Sequence, residues 1–242
     1  MRRAALAMPF ATILLAATVV ATDAGAQTAY PAIPEPMIFD MMRPLGAKRG
    51  EMEVNTLATT SSPFRPREAE WAPELEYAFA DGKAIEFELP FDGARLAALK
   101  LGLQMAFGAS ADGRGAHGVQ YLGIYDRETG RYSNSLLYMA GHRFSPRWSM
   151  MNMAGLDDIS LRRRRGRNAL LLNHATFYDV QPGTVAGVEV NVTGGHDRFV
   201  RLAPQLHQRL ADKVNVQLAA GAEKERHHRV RPALGIRLVR EL

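Results

Sequence analysis

The sequence predicts an all-β protein, an antiparallel up-and-down transmembrane β-barrel of about twelve strands. Three observations carry that expectation. Strand-length runs with alternating apolar and polar residues recur along the chain. No run of about twenty apolar residues follows the N-terminus. The polar parity of the runs mixes Glu and Arg with Gly and Ala, as a crowded hydrated interior would. A soluble sandwich also alternates, but its strands are typically about five or six residues long, against roughly ten in these runs.

The 242-residue chain reads as one domain with two N-terminal additions. Arg2 and Arg3 precede an apolar run from Ala4 to Ala21, and Ala24-Gly25-Ala26 offers small residues to a peptidase, so residues 1–26 are expected to be a secretory signal. Arg2, Arg3 and Asp23 leave with it, and the formal charge falls from +5 to +4, too small an excess to argue for nucleic acid. Cysteine is absent, which excludes a disulfide framework and thiolate metal sites. Residues 27–50 carry Pro31, Pro34, Pro36 and Pro44 around the oily cluster Met37, Ile38, Phe39, Met41 and Met42. Proline at that density makes a poor strand, so this stretch is read as a packed extension, either a periplasmic arm or an internal plug. Residues 51–242 form the expected barrel.

Strands are expected near Glu51–Thr60, Pro73–Ala80, Ala84–Phe91, Ala98–Gly108, Gly118–Asp126, Ser133–Phe144, Trp148–Leu156, Asn168–Asp179, Val185–Thr193, Phe199–His207, Val214–Ala222 and Pro232–Leu242. The clearest pattern lies in Glu74–Phe91. Leu75, Tyr77 and Phe79, then Ile85, Phe87, Leu89 and Phe91, take one face, while Glu74, Glu76, Glu86 and Glu88 take the other, on either side of an Asp81-Gly82 turn. Trp71, Phe91, Phe107, Tyr125, Phe144, Trp148, Phe177 and Tyr178 gather towards strand ends, where interfacial girdles lie. Short turns at 81–83, 145–147, 179–184 and 210–213 fall on one side, and long loops at 60–72, 156–167 and 223–231 on the other; the connection at 109–117 is too long for its side.

On this pattern, and on the final strand from Ala233 to Leu242 that ends the chain, the sequence resembles the outer-membrane β-barrel proteins of Gram-negative bacteria, porin-like or transporter-like. The last strand of that family commonly ends in an aromatic residue; here it ends in Leu242. The resemblance implies residence in the outer membrane, with its lipid and lipopolysaccharide as surroundings.

Inward parity makes Glu74, Glu76, Glu86, Glu88, Lys100, Gln104, Glu189, Arg201, Gln205 and Arg237 the expected lumen lining. Four carboxylates on two paired strands repel one another, so cations are expected beside them, either as ion pairs filling the barrel or as a basic wall facing an acidic one. Arg162, Arg163, Arg164, Arg165 and Arg167 are candidate contacts for lipopolysaccharide phosphate, as is the cluster Lys224, Arg226, His227, His228, Arg229 and Arg231. A hydrolytic reading rests on Asn173, His174 and Thr176, with His142 near Ser145 and Ser149 as a weaker set; no Gly-x-Ser-x-Gly elbow accompanies either. His227 and His228 are adjacent and would point to opposite strand faces, so no metal site and no cofactor are expected. These features favour a passive channel or transporter for small polar solutes. A lipid hydrolase, a silent structural barrel and a soluble periplasmic β protein stay open as alternatives.

Overall fold

Residues 30–38, 42–60, 69–157, 159, 169–195 and 198–242 are described in the computed structural model, and those residues include no helix. Fourteen strands form: β1 Met52–Thr60, β2 Glu70–Ala80, β3 Lys83–Glu88, β4 Phe91–Asp92, β5 Arg95–Leu96, β6 Ala98–Ala109, β7 Gly115–Asp126, β8 Arg131–Arg143, β9 Trp148–Asp157, β10 Ala169–Gln181, β11 Thr184–Thr193, β12 Phe199–Ala211, β13 Val214–Glu225 and β14 Arg231–Glu241. Apart from β4 and β5, each pairs antiparallel with its sequence neighbours, and β1 pairs with β14 from Glu53–Glu241 to Thr60–Leu234. The result is a closed barrel of twelve strands. Closure satisfies the backbone of every wall strand, which a strand inside hydrocarbon requires. The two-residue strands β4 and β5 form a flap on the long-loop rim, held to β2 by the stacked rings of Trp71 and Phe91 at 4.5 Å and by Trp71 Nε1–H donating to the Gly93 carbonyl.

Connections on one rim are tight. Gly82, Gly183 and Lys213 take left-handed backbones, and in each hairpin the register shifts just before the turn, at Ala78/Ala80, Asp179/Gln181 and Arg209/Ala211. This pattern of a left-handed turn residue beside a bulge adds twist to the flanking strands. The long connection expected at 109–117 is shorter than that: β6 runs to Ala109 through a shift at Ala106/Gly108, and β7 begins at Gly115. Only residues 110–114 remain as a turn, and Ser110 and Asp112 close it by accepting from the Gly115 and Arg114 amides.

The outer face carries exposed Leu75, Tyr77, Phe79, Ile85, Phe87, Leu101, Leu103, Val188, Leu202, Leu218 and Ile236, an apolar belt with no covering layer among the described residues. Most of the expected girdle residues sit on this face, but Phe177 does not. It is fully buried inside the barrel while its neighbour Tyr178 faces out, because consecutive strand residues point to opposite faces. Leu103 is 44% exposed at the middle of β6. Leu103→Arg should therefore destabilise the barrel in a bilayer by about 2–4 kcal/mol, read as a lower urea midpoint for folding into vesicles.

Candidate functional site

Inside the barrel, β1, β2 and β3 present a strip of carboxylates. Glu74 lies opposite Glu88 and Glu76 opposite Glu86 across β2 and β3, and Glu53 lies opposite Glu76 across β1 and β2. Like charges in cross-strand register are destabilising, so the strip depends on what flanks it. On one side Lys100 from β6 places Nζ 3.1 Å from Glu86 Oε1 and contacts Glu88. On the other side Arg237 from β14 reaches over β1, with Nη2 3.6 Å from Glu76 Oε1 and 4.0 Å from Glu74 Oε2. Asn55 on β1 bridges the two, its amide donating to Glu76 at 2.9 Å while its carbonyl oxygen accepts from Arg237 Nε at 3.3 Å.

The opposite wall is neither acidic nor basic. Leu122 on β7, Leu137 and Met139 on β8, Met151 and Met153 on β9, and Ala175 and Phe177 on β10 turn inward as a buried apolar cluster. Thus the cations flank the acids on neighbouring strands, and methionines face them across the lumen. The sequence signal for this wall was present in the unbroken apolar run Leu136–Ala140 and in Met150–Met153. A barrel strand apolar on both parities meets lipid on one face and an apolar interior on the other.

Residues 30–38 and 42–50 lie between the walls. Their prolines preclude ladder pairing, and wall side chains meet their backbone instead. Glu189 Oε2 accepts the Met37 and Ile38 amides at 3.0 and 3.1 Å, Gln120 accepts the Met42 amide at 3.0 Å, and Gln104 donates to the Arg43 carbonyl at 2.9 Å. Glu189 is itself held by Asn173 and Asn191. Glu35 pairs with Arg237 at 3.6 Å, and Arg43 lies 3.8 Å from Glu76, while Ile33 and Leu45 join the apolar wall. At the short-turn rim Arg143 Nε donates to the Ala32 carbonyl and the Gly82 amide to the Ala47 carbonyl. Gly46 has a left-handed φ of 97° and sits against the Tyr30 ring, where a Cβ would lie 2.1 Å from Cγ.

A cavity of about 1050 Å³ opens at the short-turn rim, bordered by Arg143, Asp179, Arg209, Lys213 and Glu241. A smaller one of about 280 Å³ lies at the opposite rim beside Ile38, Thr59, Glu70 and Arg231. Fully buried Met37 and Met42 belong to the segment that divides them.

Of the residues expected in the lumen, Glu76, Glu86, Lys100, Gln104, Glu189, Gln205 and Arg237 are buried on the inner face, and Glu74 and Glu88 nearly so. Arg201 stands apart at the long-loop rim, paired with Glu223 at 2.6 Å. Glu53, Asn55, Gln120, Asn173, Asn191 and Gln217 are further buried polar residues of that face, on the same parity of their strands as the expected lining. Asn173 faces inward while His174 and Thr176 face outward, so those three do not form one site. Arg162, Arg163, Arg164, Arg165 and Arg167 lie outside the described residues. In the second basic cluster His228 pairs with Glu225 at 3.1 Å, and Arg231 contacts both Glu225 and Glu223.

Solved structures share this architecture. An outer membrane channel from Pseudomonas putida F1 matches 87% of the chain and all of its own, with a TM-score of 0.63 at 14% identity. This is the fold of outer-membrane channels. The NanC porin matches 79% of the chain and all of its own at a TM-score of 0.61, and the KdgM porin 76% and 97% at 0.59, each with 8% identity. A second KdgM structure is a complex with disordered oligogalacturonate. No protein-family model and no curated protein matches the sequence.

Removing one member of a buried ion cluster strands the others. Arg237→Met should cost about 3–5 kcal/mol of barrel stability, and adding Glu35→Gln and Glu76→Gln should restore most of it; urea unfolding in detergent reads both.

Proposed function

We propose that this chain is an outer-membrane channel through which small polar solutes pass passively, with cationic and neutral solutes favoured over anionic ones. The observation that carries the reading is the composition of the waist. Glu35, Glu53, Glu74, Glu76, Glu86, Glu88 and Glu189 are set there against Arg43, Lys100 and Arg237, counting the described residues. Those carboxylates that keep their charge in a narrow low-dielectric passage raise the local concentration of cations and repel anions, whereas burial pushes the Glu35 carboxyl up to about 8 and leaves it largely neutral near pH 7. The KdgM porin, by contrast, is the one seen with oligogalacturonate, a polyanion that this lining would disfavour.

The apolar belt and the closed wall support residence in a bilayer, and the short-turn rim, which also holds both ends of the described chain, suits the periplasmic side. Residues 30–50 act in this reading as a constriction: the charged wall and the apolar wall hold the segment, and solutes move past or displace it. A silent structural barrel would share the fold and this lining but would conduct no ions.

In planar bilayers under a salt gradient, the reversal potential should indicate cation preference. The double substitution Glu74→Gln and Glu53→Gln should move it towards zero. A barrel that inserts and conducts nothing, or one that prefers anions, would overturn the proposal.

A further inference from the structure

The long-loop rim carries cations of two kinds, and strand parity sorts them. On the inward parity of β12, β13 and β14, Arg201 pairs with Glu223 at 2.6 Å, while Arg231 contacts Glu225 and lies 3.6 Å from Glu223. Those charges cancel within the protein. On the outward parity stand Arg198, Lys224 and Arg226, all exposed. β12 and β13 pair Val200 with Lys224 and Phe199 with Glu225, and one step further the Arg226 amide donates to the Arg198 carbonyl at 3.0 Å. Arg198 and Arg226 therefore face each other across the ladder.

Like charges in direct cross-strand register repel, as the glutamates of β2 and β3 do inside the barrel. There Lys100 and Arg237 offset the repulsion. Outside, Arg198 and Arg226 have no carboxylate partner among the described residues, and from β10 to β14 the outward parity holds no carboxylate at all. Lys224 adds a third positive charge. Its Nζ donates to the His228 carbonyl, which draws the ammonium up to the turn and leaves two further N–H groups to offer. That turn is fixed in shape by a left-handed His227, with φ of 68°, and by the His228 amide donating to the Glu225 carbonyl at 3.3 Å. Three cations held together without a counter-charge call for an anion from outside the chain.

The wall beneath them says which kind of anion. Val200 and Leu202 are exposed apolar residues directly below Arg198. Ala222 and Ala220 follow Lys224 down β13, with Leu202 across from Ala222 on one side and Leu234 across from Ala220 on the other. The two alanines leave a shallow apolar groove between leucines, of a width that suits an acyl chain. Two strand residues at a barrel tilt descend roughly 5 Å, so the cations stand about one headgroup above the hydrocarbon. Guanidinium forks match phosphate oxygens two by two. A phosphomonoester carries a charge of about −1.5 to −2 near pH 7, which answers three cations better than a singly charged phosphodiester does.

From this placement we infer that Arg198, Lys224 and Arg226 bind the phosphomonoester groups of a phosphorylated glycolipid, lipid A in chemistry, with an acyl chain along Ala222 and Ala220. The inference rests on the channel reading only for orientation, with the long-loop rim in the outer leaflet. The lipid closes a repulsion at the β12–β13 rim that the protein leaves open, so its binding also stabilises the fold.

The test uses the full-length protein refolded in detergent, free of native lipid, with the folded state checked by the gel shift on boiling. Bisphosphorylated lipid A is titrated in and the complex counted by native mass spectrometry. One molecule should bind, and the temperature at which the gel shift is lost should rise with it. Arg198→Gln and Arg226→Gln should each weaken binding about 10-fold, and the double variant more. Arg127→Gln removes the same charge from the rim elsewhere and should leave binding unchanged. Dephosphorylated lipid A should bind poorly, and raised salt should weaken the complex. The inference is overturned if the folded double variant binds as the parent does, if dephosphorylated lipid A or phosphatidylglycerol binds equally well, or if inorganic phosphate alone gives the same protection. A barrel that conducts nothing can still bind the lipid, and one that conducts can fail to, so planar-bilayer conductance separates the two claims.

Discussion

Arg237 holds the molecule together at the place where it closes. Its strand, β14, is the last in the chain and meets β1, the first, at the seam of the barrel; its guanidinium passes over β1 to the carboxylates of β2 and to Glu35 of the internal segment. Three parts of the chain far apart in sequence thus share one buried cation. Glu74, Glu76 and Glu53 could not be stacked in register without it, because burial removes the water that would otherwise screen them. Closing the barrel and bringing up the compensating charge are the same event, which couples the seam to the acidic strip.

The interior is divided in kind, and the division explains the segment. A strip of carboxylates faces a wall of methionine, leucine and Phe177, and residues 30–38 and 42–50 offer something to each: Glu35 and Arg43 to the charged side, Ile33 and Leu45 to the apolar side. Backbone amides that proline-rich sequence cannot place in a ladder are received by Glu189 and Gln120. Met37 and Met42, flexible and polarisable, fill the irregular space between. A segment held by scattered side-chain hydrogen bonds is more easily displaced than a strand, which fits a constriction better than a permanent seal.

Much of the wall was legible from alternation alone, because a lipid-exposed barrel strand must be apolar on one parity along its whole length. All twelve barrel strands form where that pattern places them, except that β3 stops at Glu88, before Leu89-Pro90, and Phe91 joins the flap strand β4 instead. The 109–117 connection was misread because β6 and β7 extend past the ends of their clean alternation through a bulge at Gly108. The inward parity is not polar throughout: the run at Leu136–Ala140 is apolar on both faces, and the inner wall it builds with Met151, Met153 and Phe177 departs from the alternation of the other strands. Closeness to a strand end places Phe177 near the girdle, but parity with Asn173 and Ala175 turns it inward. The pairing of Asn152 with His174 depends on register between strands, which periodicity within a strand does not encode, whereas the inward turn of Asn173 follows from parity alone.

The central claim is that the lumen is a solute path whose aperture residues 30–50 set. Single-channel conductance of the chain beginning at Gly50, compared with the chain that retains those residues, tests it most directly. A folded barrel without the segment should conduct severalfold more than the intact one. Equal conductance, or none in either, would contradict the account.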